Sequence, residues 1–213
     1  MFYCYDLVYV YGRLSFPFYK CLVKIFEYVI IGSKNSNLIP RVIMKIELKQ
    51  INSNMEEQEY EMLQGILDVE NGFTNPAYNL SFDEYKNWLK DIDSHSKGIG
   101  LPEGWIPYTT YILYIDDIPV GYGRIRHSSS EFLENVIGAG NLGYGISKRY
   151  RGKGYGNILF KELLKKCKEY GYSKIKLFPL KTNEATIKIM IKNGGKIIGN
   201  FKKEKYIILV PIK

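Results

Sequence analysis

The stretch from Asn141 to Gly171, NLGYGISKRYRGKGYGNILFKELLKKCKEYG, constrains this chain more than any other part of it. It reads as a strand, a glycine-rich basic turn and an amphipathic helix. The helix runs from about Gly154 to Tyr170 and carries Ile158, Leu159, Leu163, Leu164 and Cys167 at three- and four-residue steps. Gly152, Gly154 and Gly156 alternate with Lys153 and Tyr155 where that helix begins. Glycine lets the backbone approach a ligand closely. A helix start leaves N–H groups unpaired and carries partial positive charge. The segment is therefore read as a phosphate cradle. A dinucleotide fingerprint fits poorly, because Asn157 stands where its third glycine belongs. A P-loop fits poorly too, because Gly154 is followed by Tyr-Gly-Asn rather than Lys-Ser or Lys-Thr.

The rest of the chain sets bounds on partners. Its 213 residues suit one domain, at most two, and 46% hydrophobic content supports a sizeable core. The net charge of +8 is compatible with anionic ligands, yet no long Lys/Arg block points to nucleic acid. Cys4, Cys21 and Cys167 are too few and too irregular for a disulfide framework or a zinc site, so no metal is expected and a reducing cytoplasm fits best. Residues 1–43 are aromatic and apolar, but Asp6, Arg13, Lys20, Lys24 and Glu27 break every run short of a membrane span. They are read as an N-terminal extension or a mis-assigned start, with the folded domain over 44–213.

Along that domain the pattern predicts a strand over 42–51 and a helix from Asn54 to about Val69, ended by Asn71-Gly72. A second helix is capped by Ser81 with Glu84 three residues on. Residues 108–115 and 118–126 read as a hairpin about Asp116-Asp117. Residues 140–147 read as a strand, 174–178 as another, 183–193 as a short helix, and 196–200 with 205–212 as a hairpin that closes the sheet. The order predicts an α/β fold with a mixed sheet.

The hexapeptide Arg151-Gly152-Lys153-Gly154-Tyr155-Gly156 after a strand resembles the acetyl-CoA signature of the GCN5-related N-acetyltransferase (GNAT) superfamily. Asn183-Glu184-Ala185 followed by Lys192-Asn193-Gly194-Gly195 resembles the second motif of that superfamily. Ile125-Arg126-His127, then Gly140-Asn141-Leu142-Gly143-Tyr144, is similar to a subgroup of predicted small-molecule acetyltransferases that carry IRH, GGHIGY and RGKGYA. The resemblance implies a mixed, mostly antiparallel sheet with flanking helices. It also implies acetyl-CoA as co-substrate and transfer to the primary amine of a small molecule by direct attack in a ternary complex. A CoA-binding sensor with the same fold is the alternative. A homodimer is left open, and neither nucleic acid nor a membrane span is expected.

Carried onto this chain, the resemblance assigns cofactor binding to Ile146, Arg151, Gly152, Lys153, Gly154, Tyr155, Gly156 and Asn183. A backbone N–H near Ile146 would hold the oxyanion, and Asn183 would either contact the pantetheine or simply cap its helix. Two positions depart from the pattern. The subgroup's His in GGHIGY is Asn141, which could orient a substrate or water but not take a proton, and the Tyr that many relatives place in the second motif is Met190. Tyr144 and His127 are the substitutes. Tyr144 is either a proton donor to the departing thiolate or packing, and His127 is either a base, a substrate contact or a structural hydrogen-bonding residue. Glu131 and Glu134 are read as loop carboxylates, and Trp88, Trp105 and Tyr108 as pocket walls or core.

Overall fold

The computed structural model describes residues 44–213, so the expectations for residues 1–43, including Cys4 and Cys21, lie outside the described residues. Strands are β1 (Ile46–Gln50), β2 (Val69–Glu70), β3 (Phe73–Thr74), β4 (Tyr108–Ile115), β5 (Ile118–Arg126), β6 (Leu142–Ile146), β7 (Lys174–Leu177), β8 (Lys196–Phe201) and β9 (Lys205–Pro211). Helices are α1 (Glu57–Gln64), α2 (Phe82–Ser96), α3 (Tyr155–Glu169) and α4 (Glu184–Lys192). A single π-helical turn, Phe132–Ile137, and a 3₁₀ turn, Lys148–Tyr150, flank β6. Antiparallel sheets with helices on their faces match the expected α/β class.

Most expected elements form for the reasons read from the sequence. Ser81 and Glu84 make a reciprocal capping box at the start of α2, and Tyr85, Trp88, Leu89 and Ile92 form its buried stripe. Asp116 and Asp117 both take positive φ (51° and 65°), as a two-residue hairpin turn requires. One helix was expected too long. α1 stops at Gln64, and Asn71 (φ 53°) and Gly72 (φ 80°) turn the β2–β3 hairpin rather than ending a helix. Asn-Gly favours that tight primed turn, whose twist matches paired strands.

The sheet also differs from expectation in a way that makes the site. One sheet has the order β1-β4-β5-β6, and β7-β9-β8 form a separate one. The last hairpin therefore pairs with β7 and does not continue the first sheet. The two sheets meet where Asn141 N–H donates to the Lys176 carbonyl (3.0 Å) and Asn141 Oδ1 accepts from the Lys176 N–H (2.7 Å). Beyond that joint β6 and β7 are unpaired, and the outer edge of β6 lies open. Gly140 permits the close approach, since a Cβ there would sit 2.0 Å from the Lys176 carbonyl oxygen.

Apolar side chains pack on both faces of the first sheet. Leu159, Phe160, Leu163 and Cys167 of α3 cover one face, against Leu113 and Ile125, in a cluster that continues onto Ile175 and Ile208 of the second sheet. Met62, Leu63, Tyr85 and Leu89 of α1 and α2 cover the other, against Ile112, Tyr114 and Tyr122. β4 is buried along its whole length as a result. Alternation along β5 sends Ile125 to the α3 face and Tyr122, Arg124 and Arg126 to the α1/α2 face.

Candidate active site

A cavity of about 560 Å³ runs through the gap between β6 and β7. Its walls come from both faces of the sheet. On one side lie the 151–157 turn and Thr186, Ile189 and Met190 of α4; on the other lie Phe73, Thr74, Trp105, Arg124 and Arg126. The open edge of β6 runs between them.

Register determines what that edge offers. Arg126 N–H donates to the Asn141 carbonyl, and Ser147 N–H donates to the Val120 carbonyl. With Gly121 opposite Ile146 and Ile125 opposite Leu142, the polar groups of residues 143 and 145 face β5. Those of Leu142, Tyr144 and Ile146 consequently face the gap. The N–H of Ile146, the expected oxyanion donor, is thus one of three on the open edge. The Ile146 carbonyl accepts from Arg151 Nε (2.8 Å).

The turn after β6 keeps its donors free. Gly152 and Gly154 adopt φ of 77° and 82°, conformations that cost other residues energy. Gly154 is the N-cap of α3 and offers no side chain. Among the described residues, none of the N–H groups of residues 152–156 donates to a protein acceptor. Five unpaired amides at a helix start suit a diphosphate, and the open edge of β6 adjoins them. The exposed Lys148, Arg149 and Lys153 add positive charge. Arg149 and Lys153 both lie over the Tyr150 ring.

The side chain of Arg151 makes a contact that the sequence did not announce. Its Nη1 and Nη2 each donate to Glu70 at 2.6 Å in a two-pronged pair, which ties the β2–β3 hairpin to the cradle. That pairing holds the Glu70 carboxyl below its usual range, against the opposing effect of burial. Its guanidinium is therefore engaged by a carboxylate and by the Ile146 carbonyl. Asn183 caps α4, its Oδ1 accepting from Thr186 N–H (3.2 Å), while also lining the cavity. Tyr155 and Gly156 line the cavity as well.

The two proposed proton-handling residues part company. Tyr144 lines the cavity, packs on Phe160, and has a buried hydroxyl without a well-formed hydrogen bond. Burial pushes that hydroxyl up to about 12, with Thr186 beside it pulling the other way. It is a neutral donor, facing Met190's helix. His127 lies outside the cavity wall. Its Nε2 shares a hydrogen bond with Thr109 Oγ1 (2.8 Å), its ring stacks on Tyr170, and burial lowers its pKa. The structural reading of His127 is the one the geometry favours. Met190 is buried in the cavity wall. Glu134 is paired with Lys176, and His95 with the Tyr108 hydroxyl.

Sequence reasoning named Asn141 and Arg126 only as parts of motifs and passed over Arg124, and it foresaw the place of none of the three. Asn141 is 3% exposed and pins the vertex of the gap; its Nδ2 also donates to Ser129 Oγ (3.2 Å) and Tyr172 OH (3.4 Å). Arg124 and Arg126 are 4% and 9% exposed, without a carboxylate partner among the described residues. Burial, reinforced by Arg124, lowers Arg126 to about 10. Their signal was available: two arginines two apart in an otherwise apolar strand must share a face.

Comparison with known proteins identifies the fold and the family. A family model described as the acetyltransferase (GNAT) family matches residues 74–194. Similar solved structures include a GNAT-family acetyltransferase from Streptococcus pneumoniae, with 17% identity and a TM-score of 0.54 over 79% of this chain and 100% of that one. The N-acetyltransferase PseH of Campylobacter jejuni, solved with acetyl coenzyme A, has 18% identity and a TM-score of 0.52 over 79% and 100%. The ribosomal-protein-S5-alanine acetyltransferase of Vibrio fischeri has 12% identity and a TM-score of 0.55 over 79% and 93%. At such identities these likenesses speak to the fold alone. No curated protein matches the sequence closely enough to count as a relative. The family match spans more than half of the 213 residues and includes β6, the cradle and α4, and on that ground the chain belongs to the acetyltransferase (GNAT) family.

Proposed function

We propose that this protein transfers an acetyl group from acetyl-CoA to the primary amine of a small molecule, by direct attack within a ternary complex. The observation that carries this reading is the continuity of unpaired amides 152–156 with the outward-facing edge of β6, in a gap open to both faces of the sheet. A thioester co-substrate supplies an activated acyl group. The amides and the basic turn hold its diphosphate, and the edge N–H groups of Leu142, Tyr144 and Ile146 are placed to stabilise negative charge developing on the acyl oxygen. One such donor is commonly worth about 3 kcal/mol of barrier. PseH and YncA of Salmonella typhimurium were both solved with acetyl-CoA, which supports the choice of co-substrate.

The amine must arrive neutral, since an ammonium with a pKa near 10.4 has no lone pair to attack with. Arg124 and Arg126, both cationic, disfavour an ammonium in the cavity and so shift that equilibrium toward the free amine. Tyr144 donates a proton to the departing thiolate. The test is thiol release from acetyl-CoA across an amine library. Amine-dependent release is the expected result. Tight acetyl-CoA binding with no turnover for any amine would replace this reading with a CoA-binding sensor, which Met190 in place of tyrosine favours.

A further inference from the structure

We infer that the acceptor carries an oxyanion, a carboxylate or a phosphate, as well as its amine, and that Arg124 and Arg126 receive it. This rests on the acetyl-transfer reading for the amine and deepens it by naming the acceptor's chemical class.

The two guanidiniums project from alternate positions of β5 onto the α1/α2 face and line the cavity there. Both are at least nine-tenths buried. Nε and Nη2 of Arg124 and Nε of Arg126 are sealed from solvent and make no hydrogen bond. The Arg124 guanidinium makes no hydrogen bond to the described protein, and that of Arg126 donates only through Nη1, to the Gly140 carbonyl. Burying a guanidinium without a carboxylate is costly, and burying two side by side adds their mutual repulsion. A structural role would supply acceptors, as Glu70 does for Arg151.

The side chains are also held in place before any ligand arrives. The Arg124 guanidinium lies 4.7 Å from the Tyr108 ring centroid and 5.8 Å from that of Phe73. Arg126 lies 5.9 Å from that of Trp105. Aromatic faces fix the plane of a guanidinium, and Arg124 Nη1 and Arg126 Nη2, neither sealed nor hydrogen-bonded within the described protein, are the groups left to meet an oxyanion at the cavity wall. Register separates this pair from the diphosphate cradle. Arg124 lies opposite Gly143, and Arg126 bonds to Asn141, at the end of β6 far from the 151–156 turn. The pair also lies across the open edge from α4. An anion here belongs to the acceptor, entering from the face opposite the α4 wall. The same two charges repel polyamines and other multiply cationic amines, so they select by exclusion as well as attraction.

The test uses the full chain and matched acceptors that share one amine scaffold: an α-amino acid, its carboxamide, the decarboxylated amine, and the aminophosphonate. Thiol release should give kcat/KM at least about 100-fold higher for the carboxylate or the phosphonate than for the carboxamide and the decarboxylated amine. The carboxylate and phosphonate arms tell which oxyanion is taken. Arg124→Gln should raise KM for the anionic acceptor about 100-fold, and Arg124→Lys should recover part of it, with acetyl-CoA affinity by calorimetry unchanged in both. A neutral or polycationic amine as the best acceptor would overturn the inference. So would an acetyl-CoA affinity that falls in step with KM, because the arginines would then serve the co-substrate. If no amine is turned over, the acetyl-transfer reading fails by itself, and calorimetry of CoA-loaded protein with the same four compounds decides this one. Binding of the oxyanion compounds that is lost in Arg124→Gln upholds it, and no binding overturns it.

Discussion

Replacing Asn141 by alanine tests whether the gap between β6 and β7 is set by one side chain. The Oδ1 bond to the Lys176 N–H is 2.7 Å and the Nδ2 bond to Ser129 is 3.2 Å, with a weaker contact to Tyr172 at 3.4 Å. Each well-formed bond contributes roughly 0.5–1.5 kcal/mol net, and a donor left unpaired in the interior costs roughly 1–3 kcal/mol. With Asn141 only 3% exposed, water does not readily replace the lost amide. The sum is a destabilisation of about 2–4 kcal/mol. For a domain of this size that lowers Tm by roughly 4–16 °C. Urea unfolding measures the first number and calorimetry with acetyl-CoA a second effect, since a loosened vertex lets β6 and β7 drift and weakens binding. Asn141→Asp keeps an acceptor for Lys176 and loses less stability. An alanine variant within about 0.5 kcal/mol of the wild type would refute the pin, because that value is below the cost of even one lost bond.

Other outcomes follow from the same geometry. Gly154→Asp places a branched anionic residue at φ 82° in open space, so it strains the turn by roughly 1–2 kcal/mol while its charge opposes the diphosphate; acetyl-CoA affinity should fall about 100-fold or more by calorimetry, with the circular dichroism spectrum retained. Tyr144→Phe should lower kcat at least about tenfold with KM for acetyl-CoA unchanged, and an unaltered kcat would remove Tyr144 from proton transfer. His127→Gln should leave kcat within about threefold, and a loss of kcat beyond about 100-fold would restore it as a base. Glu70 has a folded pKa below its ordinary 4.5, so the Glu70–Arg151 pair stabilises the protein above pH 4.5 and is lost as pH falls through the depressed value. Arg151→Gln should flatten that acid limb of a urea-stability profile, and an identical limb would show that the pair contributes nothing.

What the chain alone specified was local. Glycines 152 and 154 at a strand-to-helix junction, Ser81 with Glu84, Asp116-Asp117 between two apolar runs, and the 3.6-residue stripe of α3 each settle their own conformation within a few residues. The 151–156 turn and the fold class were legible for that reason. The Asn71-Gly72 turn was misread because a dipeptide that turns a hairpin also follows helices, and only the pairing of Val69 with Thr74 distinguishes the two.

Tertiary structure decided everything that depends on residues distant in sequence. Asn141 became a hinge pin because Lys176 lies across the vertex; Arg151 was claimed by Glu70, 81 residues away; and His127 was turned to Thr109 and Tyr170 by strand alternation that sent Arg126 the other way. Hydrogen bonds and charge pairs take whichever partner the packing brings within about 3 Å, and a sequence lists candidates without their distances. Propensity and spacing act over a turn or a strand, so they wrote the elements. Which polar groups are satisfied, and which are left facing a cavity, is decided only when the two sheets meet.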